Sequence, residues 1–426
     1  MSVKGAATPR PHTLANGVTV ICDTAPGFQT LALSVVAGRG ARFEDETRCG
    51  WSHLLEHMVF KGAGGRSARD IVETIEAAGG QLNAATGHER TSFQVRALAG
   101  GLPLALAVTA DLVQRPRLDE GDLAREKQVV GQEIAEAADA PDDQVFELAQ
   151  AAAFADQPLG RPILGSPASI GEAGPVTLEA WRAGLYAPDR LVVSAAGAVD
   201  EDELIALVDE GFGAAAAPPR QAASAAHFTG GSVSERRRLE QAHLVFLLPA
   251  PGVVGADHWA ARLFAEVLGG GMSSRLFQEA RERLGLAYAI EAYADAYADV
   301  GVLGIYAGCA AADAARLAQV VASEVKSLVS GATAPELSRA KAQLKASLFM
   351  GRESLIARAE QAAAQHLAFG RLLPPAELAR AIDAVGLEDL ARLGGRLLAP
   401  RRATVSVLGP KPAMDAPRAF EDTLFG

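Results

Sequence analysis

A chain of 426 residues with 49% hydrophobic and 21% charged content can bury large cores and exceeds one ordinary domain, so two or more domains are expected. Its formal net charge of -11 argues against nucleic acid, which calls for a Lys and Arg surplus on at least one face, and suits basic peptides instead. No apolar run approaches the roughly 20 residues of a membrane helix, and residues 1–10 lack the apolar core of a signal peptide; the expectation is a soluble cytoplasmic protein with no membrane partner.

Strands open the chain. Residues 13–23 (TLANGVTVICD) and 31–37 (LALSVVA) are rich in β-branched side chains, and Asn16-Gly17 and Pro26-Gly27 break them into turns. Helical patterns follow. In WSHLLEHMVF, residues 51–60, the 3.6-residue period places His53, Glu56, His57 and Phe60 on one face, with Trp51, Leu54, Leu55, Met58 and Val59 covering the rest. A second helix is predicted over 118–138, with Asp119 as its N-cap. Residues 213–235 lose periodicity and gather Ala, Pro, Ser and Gly, the composition of an exposed connection. The predicted division is therefore a first domain over 1–213, a linker over 214–235 and a second domain over 236–426.

The two sides echo each other. DLAREKQ from Asp122 resembles ELSRAKAQ from Glu336, each after an apolar helical stretch, which predicts two copies of one α+β unit. The second copy has no H-x-x-E-H and carries Ala340 and Ser347 where the first has Glu126 and Glu133. One half reads as catalytic and the other as supportive. The run Gly269 to Gly271 lacks the Gly-Lys-Ser/Thr ending of a phosphate loop and reads as a helix-ending turn. Cys22, Cys49 and Cys309 stand far apart without C-x-x-C spacing, so they read as small buried hydrophobes.

The chemistry concentrates in residues 51–60. A helix apolar nearly all round is a buried helix, and burying two imidazoles and a carboxylate costs several kcal/mol unless something satisfies them. One Zn²⁺ would do so, because two His one turn apart can direct ring nitrogens at a single ion about 2.0 to 2.1 Å away. Zinc lowers the pKa of bound water to roughly 7, and Glu56 beside it can take the water's proton and pass it to a leaving amine. That is peptide hydrolysis. H-x-x-E-H is the inverted counterpart of the commoner H-E-x-x-H zinc motif. A third protein ligand is required, and Glu126 and Glu133, two turns apart beside Val129, Val130 and Ile134, are both contenders on spacing alone.

HLLEHMVFKG, then LNAAT from Leu82 with Glu89 and Thr91, then REKQVVGQEI, resembles the pitrilysin/insulinase family of metallopeptidases, most closely its short-chain, processing-peptidase-like branch. QPLGRPILGS from Gln157 and LYAPDRLVVSAAG from Leu185 extend the likeness over nearly the whole chain. The resemblance implies that Glu133 completes a one-zinc site with His53 and His57, and that Glu126 is an auxiliary acid. It also implies that Asn83 and Ala84 lie on an edge strand that pairs with substrate backbone, and that Phe60 lines a side-chain pocket. Arg281 and Tyr288, in ARERLGLAY, match the family's Arg/Tyr pair at the scissile region, where Tyr288 could help polarise the carbonyl. Two homologous α/β sandwich domains forming half of a clamshell, closed by a homodimer or a heterodimer with a related chain around short or unfolded peptides, complete what the resemblance implies. A non-catalytic scaffold member of the same fold and a peptide-binding module that does not cut are the rival readings.

Overall fold

A computed structural model describes residues 8–215 and 223–426, so part of the linker expected over 214–235 lies outside the described residues. Among the described residues the chain is mixed α and β, with two large sheets that are each packed by helices and a small two-stranded one, Gly62–Ala63 with Arg66–Ser67. It divides into two compact units: one comprises residues up to 134, 161–224 and 349–374, the other 135–160, 225–348 and 375–426.

In the first unit the sheet runs in the order His12–Thr13, Thr19–Thr24, Leu191–Gly197, Thr30–Ala37, Thr91–Leu98, Gln81–Thr86. The turn at Asn16-Gly17 requires glycine, because Gly17 has φ +98 and its amide donates to the Leu14 carbonyl. Pairing is antiparallel except between Thr19–Thr24 and Leu191–Gly197. The second unit repeats this plan in the order Gly231–Arg236, Thr404–Gly409, Ala242–Pro251, Val300–Cys309, Ala287–Ala296, again with one parallel pair, Gly231–Arg236 with Thr404–Gly409, and the rest antiparallel. Helix His258–Gly269 follows strand Ala242–Pro251 and precedes Ala287–Ala296, as Trp51–Val59 follows Thr30–Ala37 and precedes Gln81–Thr86, and it ends at the glycine run as expected.

Two expectations about the boundaries need correction. Residues 231–235, assigned to the linker, belong to strand Gly231–Arg236, whose backbone pairs in parallel with Thr404–Gly409. The units are also not contiguous in sequence. Helix Pro141–Ala153 belongs to the second unit, where Val145, Ala149 and Ala153 pack with Val245, Leu247 and Leu408. Helix Leu355–Phe369 belongs to the first, where Ala363 packs with Ile21, Val36 and Val192 and Arg358 pairs with the buried Asp23 at 2.6 and 2.8 Å. The physical reason is symmetrical. A sheet with two apolar faces must have both covered, and each half contributes one helix to the sheet of the other.

The three cysteines are buried and none is in a disulfide. Among the described residues no helix is long and apolar enough to cross a membrane.

Candidate metal centre

The helix that carries the motif spans Trp51–Val59, with Phe60 as its C-cap. Trp51, Leu54, Leu55, Met58 and Val59 are buried in the core of the first unit, and each such side chain contributes about 1.5–3 kcal/mol. His53, Glu56 and His57 are left half-buried on the remaining face. The N-cap is Gly50, in the left-handed region at φ +87, where a Cβ would come 2.6 Å from the Leu164 carbonyl oxygen. Glycine offers no capping side chain, and Glu44 takes over that task from outside the helix. Its two carboxylate oxygens accept the amides of Gly50 and Ser52, both at 2.7 Å. Burial pushes the Glu44 carboxyl up to about 7, against the lowering effect of those hydrogen bonds. Trp51 and Trp181 fix the same end, donating to the Ser169 carbonyl at 2.9 Å and to Ser52 Oγ at 3.3 Å.

The acidic helix spans Glu120–Asp139, and Asp119 Oδ1 accepts the amides of Gly121 and Asp122, as an N-cap should. Its two contending glutamates reach different atoms. Glu133 Oε2 stands 3.4 Å from His57 Nε2 and 3.8 Å from His53 Nε2. Glu126, 5% exposed, sets Oε2 3.2 Å from His57 Nδ1. A carboxylate only accepts, so when Nδ1 carries the proton and donates it to Glu126, the Nε2 lone pair is left facing Glu133.

One ligand atom from each of His53, His57 and Glu133 lies within 4.8 Å of the others. Bonds of about 2.0–2.1 Å in a tetrahedron place ligand atoms about 3.3 Å apart, close to the 3.4 and 3.8 Å found here. Two nitrogens and a carboxylate oxygen are also the donor types zinc takes. Burial, with the neighbouring His57, lowers the pKa of His53 to about 4, so its imidazole is neutral and able to donate a lone pair at neutral pH. The residues fit a zinc ion.

Glu56 lies on the same helix face, and its Oε2 accepts from Thr86 Oγ1 at 2.6 Å. Burial raises its pKa, partly offset by Thr86. Thr86 ends the edge strand Gln81–Thr86, which pairs only with Thr91–Leu98 among the described residues. Asn83 is exposed on that strand, whereas Ala84 and Phe60 are half-buried against the same core. Arg281 and Tyr288 lie in the second unit. Arg281 is exposed, with its guanidinium carbon 4.8 Å from the centre of the Phe277 ring. Tyr288 is 61% exposed, at an irregularity in the register of the edge strand Ala287–Ala296.

Sequence reasoning passed over three participants. Glu44 sits six positions before the residue it caps, outside any capping box. Thr86 is the last residue of LNAAT, and nothing in its spacing marks it as a partner of Glu56. Lys61, at the i+4 position from His57, places Nζ 2.8 Å from Glu126 Oε1, and that spacing was its signal.

The insulinase family, peptidase family M16, matches residues 19–167, and its description "Peptidase M16 inactive domain" matches residues 177–344. The chain is 36% identical over 412 residues to an uncharacterized zinc protease of Mycobacterium tuberculosis, covering 95% of this chain and 94% of the relative. It is 34% identical over 393 residues to an uncharacterized zinc protease of Bacillus subtilis, covering 91% and 95%. A protease from Helicobacter pylori has the same fold, at TM-score 0.87 and 20% identity, over 95% of this chain and 99% of that one. So does a chain of complex III2 from Candida albicans, at TM-score 0.85 and 21% identity, over 97% and 99%.

Proposed function

The chain belongs to the insulinase family of zinc peptidases, and we propose that it is an active metalloendopeptidase that cuts short or unfolded peptides. The observation that carries this reading is the convergence of His53, His57 and Glu133, from two helices, with a further carboxylate, Glu56, on the same face. His53 Nε2, His57 Nε2 and a Glu133 oxygen would hold one zinc ion. When bound, zinc supplies Lewis acidity toward water and the scissile carbonyl.

The chain's own residues do the rest. Glu56 accepts the proton of the attacking water and returns it to the departing amine. Thr86 Oγ1, hydrogen-bonded to Glu56 Oε2, fixes the rotamer from which that transfer runs. A substrate that pairs with Gln81–Thr86 would therefore end beside the base, with main-chain hydrogen bonds giving affinity largely independent of sequence. Asn83 and Ala84 belong to this strand, Phe60 offers an apolar contact, and Arg281 and Tyr288 are assigned to the scissile region. The net charge of -11 favours basic peptides. Pairing with a second copy, or with a related chain, would enclose the substrate.

A non-catalytic role would leave the second repeat unchanged, since Ala340 and Ser347 already stand where acids stand in the first, in keeping with the matched description of 177–344 as inactive. It would leave no reason for Glu56 beside the two imidazoles. The test is cleavage of an unstructured peptide by wild type and Glu56→Gln. Wild type should cut it with full sensitivity to a chelator, and the variant should keep zinc but lose turnover by about 10²- to 10⁴-fold. Activity in the variant above a few per cent of wild type overturns the role of Glu56, and an inert, zinc-loaded wild type favours the scaffold.

A further inference from the structure

Lys61 leaves the last turn of the motif helix on the side that His53 and His57 occupy, and its side chain is about one-third exposed. Its amide donates to the Met58 carbonyl at 3.1 Å, which closes the helix. Its own carbonyl accepts from Arg117 Nη2 at 2.9 Å, and that same nitrogen lies 3.3 Å from Asp122 on the acidic helix. The backbone of Lys61 is therefore tied at both of its polar groups. The ammonium then meets Glu126 Oε1 at 2.8 Å, while the other oxygen of that carboxylate meets His57 Nδ1 at 3.2 Å.

We propose that Lys61 is a positioning residue for the metal centre, acting through Glu126 to hold His57 with Nδ1 protonated and Nε2 directed at the ion. The inference rests on the reading of His57 as a zinc ligand. Its physical basis is the near-complete burial of Glu126. A buried carboxylate is stabilised only while both oxygens have partners, and an imidazole N–H supplies one neutral hydrogen bond. The ammonium supplies the charge. Without it, the carboxylate gains by turning toward water, and that change removes the acceptor that fixes the His57 tautomer and ring plane. Partners one step behind a metal ligand commonly change metal affinity by about 10- to 100-fold when removed. The partly exposed side chain of Lys61 makes the substitution tolerable to the fold.

The experiment measures zinc dissociation constants by competition with a chromophoric chelator for the wild type, Lys61→Met, Lys61→Arg, Glu126→Gln and the Lys61→Met/Glu126→Gln double variant. In parallel, ¹⁵N spectra of the metal-free proteins with labelled histidine report the tautomer of His57. Lys61→Met should weaken zinc binding by about 10- to 100-fold, and Lys61→Arg should restore it to within a few-fold of wild type. The double variant should bind no more weakly than Glu126→Gln alone, because both changes break one link. In the metal-free Lys61→Met protein the Nδ1–H population of His57 should fall. Unchanged affinity and tautomer in Lys61→Met, or additive losses in the double variant, overturn the proposal while leaving the zinc reading intact. A wild-type protein that binds no zinc defeats the zinc reading itself.

Discussion

Burial of His53 makes the metal-free protein sensitive to acid in a way that can be worked out in advance. Its pKa is about 4 in the folded chain, lowered first by desolvation and then by His57, against an ordinary value of about 6.5 when unfolded. A depressed histidine stabilises the fold fully above the unfolded value, and that contribution is lost as pH falls through the folded one, because the unfolded chain takes up a proton that the folded chain refuses. At about 1.4 kcal/mol per tenfold change in proton affinity, the loss is about 2 kcal/mol at pH 5 and about 3 kcal/mol near pH 4. With a side-chain exposure of 14%, solvent screens little of this. The perturbation is His53→Gln, which is neutral at every pH. Urea unfolding of the chelator-treated wild type and variant, compared at pH 7.5 and pH 5, reads the contribution of the His53 imidazole. The wild type should lose about 2 kcal/mol more than the variant between those pH values. Equal losses in both would refute the assignment of His53 as a buried neutral imidazole.

Two further outcomes follow from the geometry. Thr86→Val removes the 2.6 Å hydrogen bond that opposes the effect of burial on Glu56, so the Glu56 carboxyl should titrate at higher pH and the acid limb of kcat/KM should move upward. A limb that stays in place would separate Glu56 from that ionisation. Glu44→Ala leaves the amides of Gly50 and Ser52 buried without an acceptor, and chemical denaturation should register a loss of about 1–3 kcal/mol; an unchanged midpoint would mean that the helix start is held by the tryptophans alone.

The face of the motif helix was legible because the helical period alone decides which side chains share a direction, and the apolar residues around His53, Glu56 and His57 left them no other surface. The choice between Glu126 and Glu133 was not. Both lie on one side of their helix, and which of them meets Nδ1 or Nε2 of His57 depends on how two helices cross, a tertiary quantity that spacing does not encode. The repeat was visible in the DLAREKQ and ELSRAKAQ segments, and the matching strand orders give it physical form. The exchange of Pro141–Ala153 and Leu355–Phe369 between units stayed hidden, because an amphipathic helix looks the same whichever sheet it covers. Strand Gly231–Arg236 was hidden for a related reason: Ser and Gly signalled a connection, whereas its place in the sheet is secured by backbone pairing with Thr404–Gly409.

The most direct test is anomalous scattering at the zinc absorption edge from crystals of protein supplied with zinc. The account predicts one peak per chain, about 2.0–2.1 Å from a ring nitrogen of His53, a ring nitrogen of His57 and a carboxylate oxygen of Glu133, with Glu126 on the far side of the His57 ring. No peak at that position, or one bound by Glu126 with Glu133 turned away, would contradict it.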